Sequence, residues 1–200
     1  YDESCARYEI LLDRVVKMTD GCYKKAAQGS GLTVFNSLSW PRSEIVCSNG
    51  KYYRIEVPAM GYASLPDEHA ADFSVSASEN GKSLENNNLK VVFDTDGSVV
   101  SVYDKAAGRE VLSGKSNVYS LYCDESADCW DIPIEYTDRA PEKFILKKQE
   151  FYISGPDAVC EHEYLYGSST LHVKAVLTDG KKRVDFRVHA DWHENCKMRR

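Results

Sequence analysis

The stretch from residue 84 to residue 112 constrains the fold more than any other part of this 200-residue chain. Leu89, Val91 and Phe93 stand at every second position, and this period of two, with β-branched and aromatic side chains, predicts a half-buried strand. The next residues, Asp94 to Gly97, favour a turn, because Asp hydrogen-bonds to its own backbone and Gly accepts a positive φ. Residues 98–103 predict the returning strand of a β-hairpin, and a second turn at 104–108 leads into another extended run.

Short extended segments separated by turn signals recur along most of the chain. Regular spacing of this kind is typical of an antiparallel β-sandwich. Besides the hairpin, strands are predicted at 32–35, 43–47, 52–57, 63–65, 73–77, 118–123, 144–153, 158–166, 169–177 and 184–192. The chain is therefore predicted to be mainly β, with one small antiparallel sheet in a β-lobe and connection at 29–82 and part of a large sandwich at 83–200.

Residues 1–28 are predicted to form the one helix, from residue 2 to about residue 27. Ile10, Leu11, Val15 and Met18 make an apolar stripe at helical spacing. An isolated helix of this length is marginal in water, so the stripe is expected to need a partner. We also expect the chain alone to self-associate, through this stripe and through an open sheet edge.

Five short motifs, taken in order, resemble one family of enzymes. The hairpin stretch reads LEN-x-x-L-x-V-x-F-D, then D-G, Y-D-K and A-G-R-E-V-L. The other motifs are FNSLSWPR at 35–42, PAMGY at 58–62, CWDI at 129–132 and DWHE at 191–194. Together they resemble the α-mannosidases of glycoside hydrolase family 38, with Ser37 and Cys129 standing where Pro and Ala are usual.

This resemblance implies both an architecture and a function. Residues 1–28 would end a middle helical domain, and residues 83–200 would begin a galactose-mutarotase-like β-supersandwich. The intact enzyme would hydrolyse α-mannosides of mannose-containing glycans with retention and would use zinc. In this family the nucleophile, the acid/base and the zinc ligands lie in an N-terminal α/β barrel whose motifs do not occur here. No catalytic residue and no metal ligand is therefore carried over, and the chain alone is expected to be inactive.

An acidic loop around one tryptophan is the first candidate site. Residues 124–131 contain four carboxylates and Trp130. Carboxylates accept hydrogen bonds from sugar hydroxyls, and an aromatic ring offers an apolar face to a pyranose. We therefore predict that Asp128, Trp130 and Asp131 lie at the rim of a substrate pocket. A solvated acidic loop with Trp130 in the core remains equally open.

The polar face of the last predicted strand is the second candidate. Five polar residues alternate with apolar ones and share one face: Asp185, Arg187, His189, Asp191 and His193. Imidazole and carboxylate both ligate zinc, so His189, Asp191 and His193 could converge on a metal. Strand residues two apart are separated by about 7 Å along the backbone, which is wide for three ligands. We therefore interpret this as a solvated polar face opposite an apolar one, and predict no metal site in the chain.

Composition narrows the classes of function. A net charge of −6 argues against a nucleic-acid backbone or an anionic membrane as partner. No apolar run reaches the roughly 18 residues of a membrane span. Seven cysteines without a C-x-x-C pair favour reduced thiols, and no N-x-[ST] sequon occurs, so we expect a cytoplasmic protein of bacterial type. The alternative to the α-mannosidase is a non-catalytic carbohydrate-binding or assembly module.

Overall fold

The computed structural model describes residues 1–27, 31–70, 72–123, 134–194 and 197–199. Contacts divide the chain into two compact units, residues 1–71 and residues 72–200, and each is described by itself. In the described ranges the first unit contains one helix and two small sheets, and the second contains three sheets.

Helix α1 spans Asp2–Ala26, as the apolar periodicity predicts. Acidic residues in its first turn and lysines in its last turn complement the helix dipole. No residue of α1 is buried, although Tyr23 stacks on Phe35 with ring centroids 4.5 Å apart. The helix is thus confirmed, whereas the partner of its apolar stripe and the self-association stay predictions.

The strands of the first unit pair in twos. β1 (Thr33–Asn36) pairs with β4 (Gly61–Ser64), and β2 (Arg42–Ser48) pairs with β3 (Lys51–Val57), both antiparallel. The turn between β2 and β3 places Asn49 at a φ of 50° and the following glycine at 74°, so the tight hairpin predicted from Asn-Gly is confirmed.

The prediction of a single sheet in this unit is wrong, because the four strands form two separate sheets. Pro41 precedes β2 and Pro58 follows β3. Proline has no N–H to donate to a ladder, so the β2–β3 ladder stops at these residues. The chain leaves the hairpin there, and β1 and β4 pair only with each other.

Five antiparallel strands form the first sheet of the second unit, in the order β5-β6-β7-β8-β9. Their bounds are Val75–Ser78, Ser83–Asn86, Leu89–Phe93, Val99–Asp104 and Arg109–Glu110. β7 and β8 are the predicted hairpin, with Gly97 at a φ of 80° in its turn. β5 pairs with β6, so the strand predicted near residues 73–77 belongs to this sheet, while the domain limits drawn from the sequence stay a prediction.

The second sheet of this unit is a meander of four long strands, β12 to β15, in sequence order. Their bounds are Ile145–Ser154, Asp157–Tyr166, Ser169–Thr178 and Asp185–Asp191. A third sheet has the order β11-β10-β16, with bounds Glu142–Lys143, Ser120–Cys123 and Lys197–Arg199. A 3₁₀ helix, Ile134–Asp138, precedes β11.

Two sheets pack face to face and bury the main core. Leu84, Val91 and Phe93 from the five-stranded sheet cluster with Cys160 and Leu177 from the four-stranded sheet. Burial of each large apolar side chain stabilises the fold by about 1.5–3 kcal/mol. A second cluster, formed by Leu121, Phe144, Tyr164, Leu171 and Val173, joins β10 to the four-stranded sheet. The predicted antiparallel sandwich is therefore confirmed.

Strand β15 is an edge strand with solvent on both faces. Its polar face is exposed, as predicted, but Phe186 and Val188 on the apolar face are also 38% and 42% exposed. The fully buried residues of the main core reach β14 and include none from β15. The alternation of β15 therefore reports its strand conformation more than its burial.

Candidate functional site

The acidic tryptophan loop lies outside the described residues. The predicted roles of Asp128, Trp130 and Asp131 at a pocket rim therefore stay predictions, and so does the alternative of a solvated loop. The residues on its two sides are described.

The flanks of this loop meet each other. β10 ends at Cys123 before the loop, and the 3₁₀ helix begins at Ile134 after it. The rings of Tyr122 and Tyr136 pack edge to face with centroids 5.0 Å apart. The described residues on the two sides of positions 124–133 therefore lie beside each other at the end of β10.

The described part of the chain carries an open groove of about 390 Å³ on the outer face of the four-stranded sheet. Strand register brings eight polar side chains into two rows across this face. One row is Lys148, Glu163, His172 and His189, and the other is Glu150, Glu161, Lys174 and Arg187. Sequence analysis singled out only Arg187 and His189, because the rows exist only once four strands have paired.

One ion pair and two hydrogen bonds fix Glu161 and Lys174 in the second row of this groove. Lys174 Nζ lies 2.9 Å from Glu161 Oε1 and donates to the Tyr152 hydroxyl at 2.8 Å, and that hydroxyl donates to Glu161 at 2.7 Å. The hydrogen bonds from Tyr152 and Lys174 lower the pKa of Glu161, and those with Tyr152 and Glu161 raise the pKa of Lys174. Both groups are therefore held in their charged forms, which suits a fixed polar surface better than proton transfer near neutral pH.

The polar residues of the last predicted strand do not converge on one point. His189 stands opposite His172 in the groove. His193 lies beyond β15, where its Nε2 is 3.0 Å from Asp191 Oδ1 and its backbone N–H donates to Ser169 Oγ at 2.8 Å. Within the ranges that the structure describes, no group of three or more His, Cys, Asp or Glu side chains is placed to hold a metal ion.

The family-like motifs place their polar residues in turns, and Asn36 in the first unit is an example. Its side-chain amide donates to the carbonyls of Trp40 at 2.8 Å and Pro58 at 3.0 Å, and its Oδ1 accepts from Leu38 N–H at 3.1 Å. A Cβ on Gly61 would lie 2.8 Å from Pro58 Cγ, so this position needs glycine. Two motifs are thus parts of one turn structure.

Asn86 has the same role in the second unit, where it is 2% exposed. Its amide donates to the carbonyls of Thr178 at 2.7 Å and Lys181 at 2.9 Å. Its Oδ1 accepts from the N–H groups of Asn88 and Leu89, both at 2.8 Å. One side chain therefore joins the start of the hairpin to the turn that follows β14.

Carboxylates of the hairpin stretch also hold turns. Asp104 accepts from the N–H groups of Ala106 and Ala107 at 3.0 and 3.1 Å. Glu110 accepts from the Ser101 hydroxyl and from three backbone N–H groups, and these bonds lower its pKa to about 2. The backbone hydrogen bonds also lower the pKa of Asp104, so both carboxylates are held in the charged form, which suits turn structure better than acid–base chemistry near neutral pH.

The DWHE motif closes the hairpin between β13 and β14. Trp192 packs on Phe144 with ring centroids 6.5 Å apart. The Glu194 carboxylate accepts from Ser168 N–H at 3.0 Å, and a Cβ on Gly167 would lie 2.5 Å from Glu194 Oε1. The described motif residues named here thus act as hydrogen-bonding and packing residues of the scaffold.

One titratable side chain in the core was missed by sequence analysis. His162 is 3% exposed and sits between the rings of Phe93 and Tyr164, with centroids 5.4 and 5.7 Å away. Its Nε2 lies 3.1 Å from Gln149 Nε2 and 3.4 Å from Cys160 Sγ. Burial lowers its pKa to about 4. The inward alternation of β13 was the signal that could have placed it in the core.

We expect the buried imidazole to make the fold sensitive to mild acid. The folded state keeps His162 neutral, with a pKa below the unfolded value of about 6.5. Its contribution to stability is therefore present above pH 6.5 and is lost as the pH falls towards 4. At pH 5 this loss amounts to about 2 kcal/mol relative to pH 7.

Urea unfolding of the chain and of His162→Gln at pH 7 and pH 5 measures this loss. The substitution should remove most of the drop in the free energy of unfolding between the two pH values. His172→Gln, at an exposed histidine of β14, should leave the drop unchanged. An equal drop in all three proteins would show that His162 does not cause it.

No helix in the described ranges is long and apolar enough to cross a membrane. Five described cysteines are free thiols, namely Cys5, Cys22, Cys47, Cys123 and Cys160. The cytoplasmic location stays a prediction.

Comparison with known proteins agrees with the motifs. The chain is similar to Alpha-mannosidase 2C1 of Mus musculus (25% identical) and of Homo sapiens (26% identical). Each match covers 84% of this chain and 18% of the relative. The chain thus spans less than a fifth of the length of the curated relatives that it matches. Both relatives are mammalian and lend no support to the expected bacterial type. Residues 84–200 match the C-terminal domain of glycosyl hydrolases family 38, more than half of the sequence, and the chain therefore belongs to that family.

Proposed function

We propose that this chain is the non-catalytic C-terminal region of a longer α-mannosidase. The observation that carries the proposal is the match of residues 84–200 to the family's C-terminal domain. The two relatives are α-mannosidases by name, and they supply the substrate class, mannose-containing glycans. In this proposal the groups that break the glycosidic bond belong to other parts of the polypeptide.

The finer features of the reaction also belong to the proposal. The family resemblance suggests hydrolysis with retention, in which two carboxyl groups about 5–5.5 Å apart flank the scissile bond. It also suggests zinc, and the described residues of this chain do not fit that ion, since they bring no three ligands together. We therefore assign no step of the reaction to a metal in this chain.

The role proposed for the chain is to hold a rigid scaffold. Asn36, Asn86 and Glu194 each fix a turn by several hydrogen bonds. Loops on a rigid sheet can be placed accurately beside a site built elsewhere. The acidic loop after β10 is the part of the chain that we propose to reach the substrate pocket.

In this proposal Asp131 accepts a hydrogen bond from a mannose hydroxyl, and Trp130 and Asp128 shape the rim. Support comes from the four carboxylates and the indole of the loop, and from the contact between Tyr122 and Tyr136, which lie on its two sides. A hydrogen bond to a charged group contributes roughly 1.5–3 kcal/mol.

The test is Asp131→Asn in the full-length protein, which keeps the shape and removes the charge. We expect kcat/KM for an aryl α-mannoside to fall by about 10- to 150-fold with an unchanged Tm. The matched control is Asp138→Asn, at an exposed carboxylate just beyond the loop, which should keep wild-type kinetics. Wild-type kcat/KM for Asp131→Asn would show that Asp131 has no role in the pocket. A lower Tm with full activity would favour the alternative of a solvated loop with Trp130 in the core.

A further inference from the structure

A small, partly open cavity lies where the β7–β8 turn meets β13. Its volume is about 30 Å³, and its walls include Asp96, Ser98, Asn117, Phe144 and Tyr164. None of these residues belongs to the groove or to the acidic loop. The cavity sits at the junction of the two core clusters, since Tyr164 belongs to one and its ring neighbour His162 contacts Phe93 of the other.

Two polar atoms at this cavity have no hydrogen-bond partner among the described residues: Tyr164 Oη and Asn117 Nδ2. Tyr164 is 3% exposed, so water outside the protein does not reach its hydroxyl. That hydroxyl lies against Gly97, between the two turn residues that line the cavity, because a Cβ on Gly97 would be 2.1 Å from it. Buried polar groups without partners are rare in folded proteins, and ordered water is a common partner for them.

We propose that this cavity binds one ordered water molecule. The water accepts hydrogen bonds from the Tyr164 hydroxyl and from Asn117 Nδ2–H, and it donates to the Asp96 carboxylate. The volume of about 30 Å³ exceeds the roughly 10–15 Å³ that one water needs, so the cavity has room for it. Three polar partners are also the usual number for a buried water.

The chemistry of the walls selects water over ions. The walls carry one acidic side chain, Asp96, and one basic side chain, Lys143, so neither a cation nor an anion is favoured. Asp96 Oδ1 accepts from Ser98 N–H at 3.0 Å and Oδ2 accepts from Lys115 at 2.9 Å. Each carboxylate oxygen has two lone pairs, so Oδ2 can accept one further bond. A molecule that both accepts and donates fits this set, and a larger organic ligand does not fit the volume.

The water would join three parts of the second unit that are far apart in sequence. Asp96 is in the hairpin turn, Asn117 precedes β10, and Tyr164 is in β13. A shared bridging molecule would therefore fix the turn of the family-like hairpin to the four-stranded sheet.

Thermal unfolding of Tyr164→Phe in the 200-residue chain shows whether the water is present, because the expected shift of Tm differs between a filled and an empty cavity. With the water in place, loss of the hydroxyl removes a hydrogen bond, and Tm should fall by about 3–6 °C. Without it, the variant removes an unpaired buried group, so an unchanged or higher Tm would overturn the proposal. Tyr103→Phe, which removes a hydroxyl from a tyrosine that is 41% exposed, is the control and should not shift Tm.

A high-resolution crystal structure of the unmodified chain tests the same proposal without a variant. We expect one spherical density peak within about 3.2 Å of both Tyr164 Oη and Asn117 Nδ2. An empty cavity would overturn the proposal, and so would a peak at the shorter distances of a coordinated cation, about 2.3–2.6 Å for calcium.

Discussion

Replacement of Asn86 by alanine should lower the free energy of unfolding by roughly 4 kcal/mol, the largest effect that we expect from one polar substitution in this chain. The substitution removes two donors from the carbonyls of Thr178 and Lys181 and one acceptor from two backbone N–H groups. The site is buried, so water cannot replace all these bonds, and unsatisfied buried groups cost about 1–3 kcal/mol each. Urea unfolding of the variant at pH 7 measures the effect.

Asn88→Ala is the matched control for this experiment. Asn88 is two residues away, and its side chain makes one exposed hydrogen bond to the Gly180 carbonyl at 2.8 Å. We expect a loss of about 1 kcal/mol or less for this change. Equal effects at the two positions would contradict the role of Asn86 as the residue that joins the hairpin to the turn after β14.

Gly97→Ala should destabilise the fold by about 3 kcal/mol, from two sources. The residue has a φ of +80°, where an L side chain costs about 1–2 kcal/mol. The new Cβ would also lie 2.1 Å from Tyr164 Oη and 2.9 Å from Tyr164 Cζ, and overpacking in a core costs about 1–3 kcal/mol. Chemical denaturation again gives the magnitude.

Gly180→Ala separates the two sources. Gly180 has a φ of +70° with open space around its Cβ position, so only the backbone term of about 1–2 kcal/mol should appear. In a Tyr164→Phe background, the penalty of Gly97→Ala should shrink, because the closest clashing atom is gone. If Gly97→Ala cost as much stability in the Tyr164→Phe background, the Tyr164 hydroxyl would not be the source of the clash.

Local structure was predictable where the residues themselves favour a turn or alternate as in a strand. Asn49-Gly50 and Gly97 take the positive φ values that their turns require, and the long strands β12 to β15 follow the alternation of their residues. β6 was missed as a separate strand, although β1 and β5 are equally short and were predicted. β16 was also missed, because three residues are too few to show an alternation.

Long-range pairing was not predictable from the same patterns. The β2–β3 hairpin ends at Pro41 and Pro58, and the division of the first unit into two sheets depends on which strands pair beyond these residues. The bond between Asn86 and Thr178 joins residues 92 positions apart. Such partners are set by tertiary packing, which local periodicity does not encode.

The candidate site was predictable only in part, for the same reason. Acidic residues around a tryptophan can be recognised in one loop, because they are neighbours in sequence. The groove needs His172 beside His189 and Lys174 beside Arg187, and these pairs depend on the register of β14 and β15. A one-residue change of register would move every one of these side chains to the opposite face.

Hydrolysis of an aryl α-mannoside by the full-length protein and by the 200-residue chain alone, both purified and supplied with zinc, tests the central claim most directly. That claim is that the chain supplies scaffold to an α-mannosidase whose chemistry lies elsewhere in the polypeptide. We predict turnover by the full-length protein and none above a heat-killed control by the chain. Turnover by the chain alone, or a folded full-length protein that binds mannosides without hydrolysing them, would contradict the claim.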